Sequence, residues 1–176
     1  MTYSLEKASV LIVEDMVPMA MLTKKILETF GFEEVYIAHT GEKAFELYQK
    51  HAPDLVITDW VLDGIDGLDL VKLIRRDPLS KNSYVPIILM TGFSHKLRVM
   101  AARDIGVSEF LVKPFTAKDL YARIGRPLKN QEHLLIAVSF LAQIDGVGVP
   151  RRRNHAHHAA WMMYAVIHQG NKTTFV

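Results

Sequence analysis

The chain has 176 residues, 49% apolar and 23% charged, enough for one domain with a packed core plus an appendage. It contains no cysteine, which excludes disulfides, thiolate nucleophiles and cysteine-ligated zinc, and no run approaches the roughly 18 apolar residues of a membrane span. The net charge of +2 conceals a division: residues 1–125 hold 15 Lys and Arg against 17 Asp and Glu, whereas 126–176 hold 6 against 2, with five of the eight histidines.

Met1–Lys7 lacks a basic segment followed by an apolar core, so no secretory signal is expected and the address is taken as cytoplasmic. Beyond it, strand-like runs alternate with helical patterns every 20–25 residues, the rhythm of repeated βα units. The first strand spans about 9–13. A helix begins near Pro18, whose missing N–H costs nothing in a first turn, and presents Met19, Leu22, Ile26, Leu27 and Phe30 at intervals of three and four until Gly31. Val35–Ala38 reads as a second strand, and Thr40 as the cap of a helix carrying Ala44, Phe45, Leu47 and Tyr48. Ala52-Pro53-Asp54 breaks that helix ahead of a strand ending at Asp59. Gly64–Gly67 is a turn, and the next helix buries Leu68, Leu70, Val71 and Ile74 before Asp77-Pro78 closes it. A fourth strand covers about 85–90. Ser94 or a neighbour caps a helix facing inward with Leu97, Met100 and Ala101 and ended by Gly106. A fifth strand follows at about 108–112, and Thr116 caps a last helix through Leu120 and Ile124. Five βα units predict a doubly wound, five-stranded parallel α/β sheet of flavodoxin-like order 2-1-3-4-5, with helices on both faces and a short C-terminal extension.

The strand ends carry the chemistry. Val10–Val13 runs into Glu14-Asp15, Leu55–Thr58 into Asp59, Ile87–Met90 into Thr91, and Phe110–Val112 into Lys113-Pro114. In a parallel sheet the carboxyl ends share one rim, where ligands bind. Three carboxylates, a hydroxyl and an ammonium gathered there suit a divalent cation and a phosphoryl group better than a packed core, because Mg²⁺ takes one or two carboxylates alongside phosphate and water. Each residue alone has a plainer reading: Glu14 and Asp15 as helix caps, Lys113 as a surface lysine, Thr91 as one threonine among many. Asp59 resists it, being an acid at the tip of so apolar a strand. The Lys113-Pro114 bond is a candidate for the cis form.

Taken together, Glu14/Asp15, Asp59, Thr91 and Lys113-Pro114 at these intervals resemble the receiver domain of two-component response regulators, over about residues 6–126; residues 127–176 form an extension of unknown role. The resemblance implies that Asp59 accepts a phosphoryl group from a sensor histidine kinase or a histidine phosphotransfer protein. It implies Mg²⁺ held by Glu14, Asp15, Asp59 and the backbone carbonyl of Val61. Thr91 and Lys113 would hold the phosphoryl oxygens, Thr91 and Phe110 would switch together, and the fourth helix, fifth strand and fifth helix, roughly 94–125, would form the surface read by a downstream protein or a second copy. Such a protein is not an enzyme in the usual sense, although it assists its own phosphorylation and dephosphorylation.

The chain departs from the family pattern at several positions. The acceptor loop has Leu62-Asp63 where a Met-Pro pair is usual, adding an acid and losing the rigidity of proline. Gly92 stands where alanine is common, and Phe110 lacks a tyrosine hydroxyl. Val61 and Phe93 occupy the two positions that tune hydrolysis; both are apolar and poor at orienting water, which predicts a long-lived aspartyl phosphate.

The extension contains an apolar segment, His133–Ile144, then a Gly/Pro break at 145–150, Arg151–Arg153, a cluster of His155, His157 and His158, and an apolar stretch from Trp161 to Ile167. The arginines read first as a solvated linker, with nucleic-acid phosphates as the alternative. The histidines lack acidic or cysteine neighbours for a metal site. The apolar stretch fits a partner-binding or self-associating helix. Two other readings remain: a DNA-binding transcriptional regulator with a small basic output in 126–176, and a haloacid-type hydrolase, which would want an aspartate where Val61 stands.

Overall fold

The structure is a computed structural model that describes residues 8–92 and 96–125, with the side chains of Lys96, Leu97 and Arg98 left out. The expectations for Phe93, the Ser94 cap, Leu97 and everything from 126 onward lie outside the described residues. The described residues fall in one structural unit, Met1–Pro127.

The elements alternate as β1 (Ser9–Val13), α1 (Val17–Thr29), β2 (Glu34–Ala38), α2 (Gly41–His51), β3 (Leu55–Asp59), α3 (Gly67–Arg76), β4 (Ile87–Thr91), α4 (Lys96–Ile105) and β5 (Glu109–Val112). A fifth helix, α5, covers residues 117–125. All strands are parallel, in the order β2-β1-β3-β4-β5. The sheet is therefore the doubly wound one expected, and β1, β3 and β4 are its central strands. Their apolar runs are buried almost throughout, as strands covered on both faces require. Leu11, Val13, Val56, Ile87 and Leu89 pack against Ala44, Tyr48, Leu70, Val71, Ile74 and Ala102 from α2, α3 and α4. The alternate residues Val10, Ile12, Leu55, Ile57, Ile88 and Met90 are buried on the opposite face.

Local chemistry sets the boundaries. Pro18 sits in the first turn of α1, and Gly31 just beyond that helix adopts φ 97°, a conformation costly for any residue with a Cβ. The Thr40 side chain caps α2 by accepting from the Lys43 N–H, and Asp66 caps α3 by accepting from Asp69. The Arg75 guanidinium, near the end of α3, donates to the carbonyls of Ser83, Val85 and Gly106, tying α3 to the entry of β4 and the end of α4. Burial pushes its pKa down to about 10.

Two helix faces differ from expectation. On α1 the buried residues are Ala20, Thr23 and Leu27, whereas Leu22 is exposed and Met19, Ile26 and Phe30 are half-buried. Two of the three buried positions, Ala20 and Thr23, carry small side chains, and the bulkier Met19, Ile26 and Phe30 are only partly covered. On α4, Ala102 is buried while Met100 and Ala101 face outward, so apolar spacing alone placed the inner face one residue off.

Candidate functional site: an acidic rim with one lysine

Sheet register brings the chemistry-bearing residues to one level. Val13 pairs with Thr58, Asp59 with Met90, and Thr91 with Val112, so Glu14, Asp59, Thr91 and Lys113 all emerge at the carboxyl rim. Glu14 is anchored by its backbone N–H to the Ala38 carbonyl at 3.0 Å, and Lys113 by its N–H to the Thr91 carbonyl at 2.8 Å. The Lys113–Pro114 peptide is cis, as the sequence allowed. Carboxylate oxygens of Glu14, Asp15 and Asp59 lie within 4.8 Å of one another, with Glu14 buried, Asp59 partly so and Asp15 exposed.

Lys113 Nζ bridges the acids, donating to Glu14 Oε2 at 2.6 Å and to Asp59 Oδ2 at 2.6 Å. The other Asp59 oxygen, Oδ1, accepts from the Trp60 N–H at 2.6 Å. Burial pushes the Glu14 carboxyl up against the opposing pull of Lys113. Desolvation acts to lower the Lys113 ammonium, but hydrogen bonds and charge from Asp59 and Glu14 outweigh it and hold it above its usual range.

Three carboxylates against one ammonium leave two negative charges, and Glu14 Oε1 is buried without a hydrogen-bond partner. That imbalance and that orphaned oxygen fit a hard divalent cation with oxygen ligands. Beside the site, a Cβ built on Gly92 would meet nothing within 4 Å, so the position following Thr91 is open. Thr91 is buried, and strand alternation places it on the same sheet face as Leu89, whose β5 partner is Phe110. Phe110 is half-buried against the core packed under α3 and α4.

A family model described as the response regulator receiver domain matches residues 10–125. The chain belongs to the response regulator receiver family. Among curated relatives, the chemotaxis protein CheY-3 of Vibrio cholerae serotype O1 is 33% identical over 117 residues, covering 66% of this chain and 88% of that protein. The chemotaxis protein CheY1 of Helicobacter pylori is 37% identical over 115 residues, covering 65% and 91%. Among solved structures, a putative response regulator from Chloroflexus aurantiacus is 34% identical with a TM-score of 0.62, covering 68% of this chain and 95% of that one. The receiver domain from Clostridium thermocellum is 26% identical with a TM-score of 0.65, covering 72% and 98%. The receiver here thus has the phosphoacceptor signalling role of CheY-type regulators, and the DNA-binding alternative is not favoured. Among the described residues, no helix is long and apolar enough to cross a membrane.

Sequence reasoning named the rim residues but missed those that hold them. The Trp60 N–H on Asp59 is backbone and leaves no trace in residue type. His39 Nδ1 lies 2.8 Å from the Glu14 carbonyl, a contact that depends on how β2 ends beside β1. Gly67 had a legible signal, as the glycine closing a turn. Its N–H donates to the Trp60 carbonyl at 2.9 Å, and a Cβ there would overlap the Asp59 carbonyl oxygen.

Proposed function

We propose that Asp59 is the phosphoacceptor, with Lys113 and Thr91 as ligands of the phosphoryl oxygens and Glu14, Asp15, Asp59 and the Val61 carbonyl as the Mg²⁺ ligands. The observation that carries this reading is the Lys113 ammonium held 2.6 Å from both Glu14 and Asp59 on an acidic rim. An Asp59 oxygen attacks phosphorus in line, the bond to a donor imidazole nitrogen breaks, and the imidazole, already protonated on its other ring nitrogen, leaves neutral with the electron pair of the broken bond, giving an acyl phosphate on Asp59. Positioning and charge neutralisation dominate such a transfer. Lys113 follows the negative charge onto the phosphoryl oxygens, and the buried Thr91 hydroxyl donates to them. When bound, Mg²⁺ supplies further neutralisation of the same oxygens.

The donor is a phosphohistidine of a sensor kinase or phosphotransfer protein in the cytoplasm. Exposed apolar side chains following rim residues in the chain, Met16, Val17, Met21 and Leu22 after Asp15 and Val61 after Asp59, support docking of such a protein. The output is a change in the α4–β5–α5 surface through Thr91 and Phe110. Exposed Met100, Val112 and Tyr121, one from each element, support that surface as the contact for a downstream protein or a second copy. Incubation with acetyl phosphate and Mg²⁺, followed by intact mass measurement, tests the assignment. Wild type gains one phosphoryl group and Asp59→Asn gains none; equal gain in both overturns it.

A further inference from the structure

The loop between β3 and α3 lacks the proline usual in this family, yet the structure holds it at several points. At its neck, the Gly67 N–H donates to the Trp60 carbonyl, and the Gly67 Cα lies against the Asp59 carbonyl with no room for a side chain. In its middle, Leu62 is buried in the core while Asp63 stays exposed. The far side of the loop is gripped from another helix altogether. Glu42, in the first turn of α2, accepts the Ile65 N–H on Oε1 at 3.2 Å. Gly64 turns at φ 79° directly over the same carboxylate, and a Cβ there would come within 2.8 Å of Oε1. Beside it, the Gly41 Cα packs so closely on the Ile65 carbonyl that a side chain at 41 would collide with it.

These contacts form a strap. The start of α2 is fixed by the Thr40 cap, and a carboxylate in the first turn of a helix is favoured by the helix dipole. Backbone N–H groups, its own first and then that of Ile65, hold the Glu42 carboxyl below the usual range, so it stays an anionic acceptor. Val61, three residues from Gly64, is on the strapped segment.

Building on the Mg²⁺ site proposed above, we infer that Glu42 is a positioning residue that holds the Val61 carbonyl toward the metal, in the role that loop rigidity has where proline is present. Glu42 does not touch the cation; it acts through the Ile65 N–H and the Gly64 turn.

The test is Mg²⁺ titration of the full chain, read by the emission of Trp60 beside the acceptor, with Trp161→Phe in every variant to leave a single reporter. Glu42→Ala raises the half-saturating Mg²⁺ concentration about tenfold, the lower range for loss of a group supporting a metal ligand. Glu42→Gln retains an acceptor for the Ile65 N–H and stays within about threefold of wild type, a neutral acceptor being weaker but equally placed. Urea midpoints without Mg²⁺ remain alike in all three, which separates positioning from unfolding. Equal losses in Ala and Gln overturn the strap in favour of a long-range charge effect. A wild-type response weakened by Asp15→Asn but unchanged in Glu42→Ala overturns this inference and leaves the metal site standing. No response in wild type overturns both.

Discussion

Replacing Lys113 with methionine tests the electrostatic logic of the rim without any phosphoryl donor. The substitution keeps most of the side-chain stem and removes the ammonium shared by Glu14 and Asp59. At 2.6 Å each contact has a gross Coulomb energy of about 6 kcal/mol at an effective dielectric near 20. Desolvation offsets most of that in the intact pair. Breaking a buried pair by truncating one partner nevertheless costs about 3–5 kcal/mol, because the other charge is left uncompensated. Glu14 is fully buried whereas Asp59 can regain water, so the low end applies: about 3 kcal/mol of lost stability at pH 8 in EDTA. The sign of the pH dependence follows from Glu14. Burial already lifts its folded pKa above the ordinary 4.5, and losing Lys113 lifts it further. Between the unfolded and folded values the native state binds more protons, so stability falls as pH rises through that window. The penalty is therefore full above the raised folded pKa and fades as pH falls toward 4.5. Lys113, raised in the wild type, contributes stability that is fully present below its ordinary 10.5 and is lost only as pH climbs through the folded value, so it is intact at pH 8. Urea unfolding at pH 8 and pH 5 measures both arms, and adding Glu14→Gln to Lys113→Met should recover most of the loss. A penalty below about 1 kcal/mol at pH 8, the range of a surface pair, would refute the reasoning. So would a penalty equal at both pH values, or one that Glu14→Gln does not relieve.

Two further outcomes are expected. Arg75→Met removes four hydrogen bonds from one guanidinium to three carbonyls, and should lower stability by about 2–3 kcal/mol in urea unfolding, the loss of charge-assisted bonds being partly offset by removal of a buried charge. Val61→Asn with Phe93→Glu should shorten the lifetime of the phosphoprotein in Mg²⁺, followed by intact mass over time, by placing polar groups able to orient water; an unchanged decay would remove these positions from the account of hydrolysis.

The rim was legible in the sequence because each of its residues ends an apolar run. A carboxylate after Leu55–Thr58 must leave a buried sheet at its carboxyl edge, and once four runs are parallel their ends meet. The helix faces were less legible. Ala20 and Thr23 are fully buried on α1 yet are outweighed in any apolar count by Leu22, which is exposed. Contacts made by backbone were not legible at all. The Trp60 N–H on Asp59, the Gly67 N–H on Trp60 and the Ile65 N–H on Glu42 depend on where a loop passes, and any residue type but proline offers the same donor. Losing proline from the loop removes one source of rigidity, and the structure shows contacts the sequence did not reveal, Leu62 buried in the core and Glu42 of α2 on the Ile65 N–H.

The two oxygens of Asp59 are held by unlike groups, and that difference orders the chemistry we propose. Oδ1 accepts from the Trp60 N–H, the same N–H that donates to the Met90 carbonyl at 2.9 Å in the sheet ladder. That donor cannot move without unpicking β3 from β4. Oδ2 accepts from Lys113, whose ammonium sits on a flexible stem and keeps a second partner in Glu14. The Trp60 donor is fixed by the ladder whereas the Lys113 ammonium is mobile, so in the chemistry we propose Oδ2 would be the attacking oxygen and Oδ1 the one that orients the carboxylate. On that proposal, Lys113 would exchange one anionic oxygen for another while keeping its contact to Glu14, so the buried acid would retain its counter-ion. The same lysine is joined through its backbone N–H to the Thr91 carbonyl, and Thr91 shares a sheet face with Phe110 on the neighbouring strand. The switch we propose would pass a change of ligand at Nζ along this connection to the β4–β5 edge, beside the exposed side chains of α4, β5 and α5.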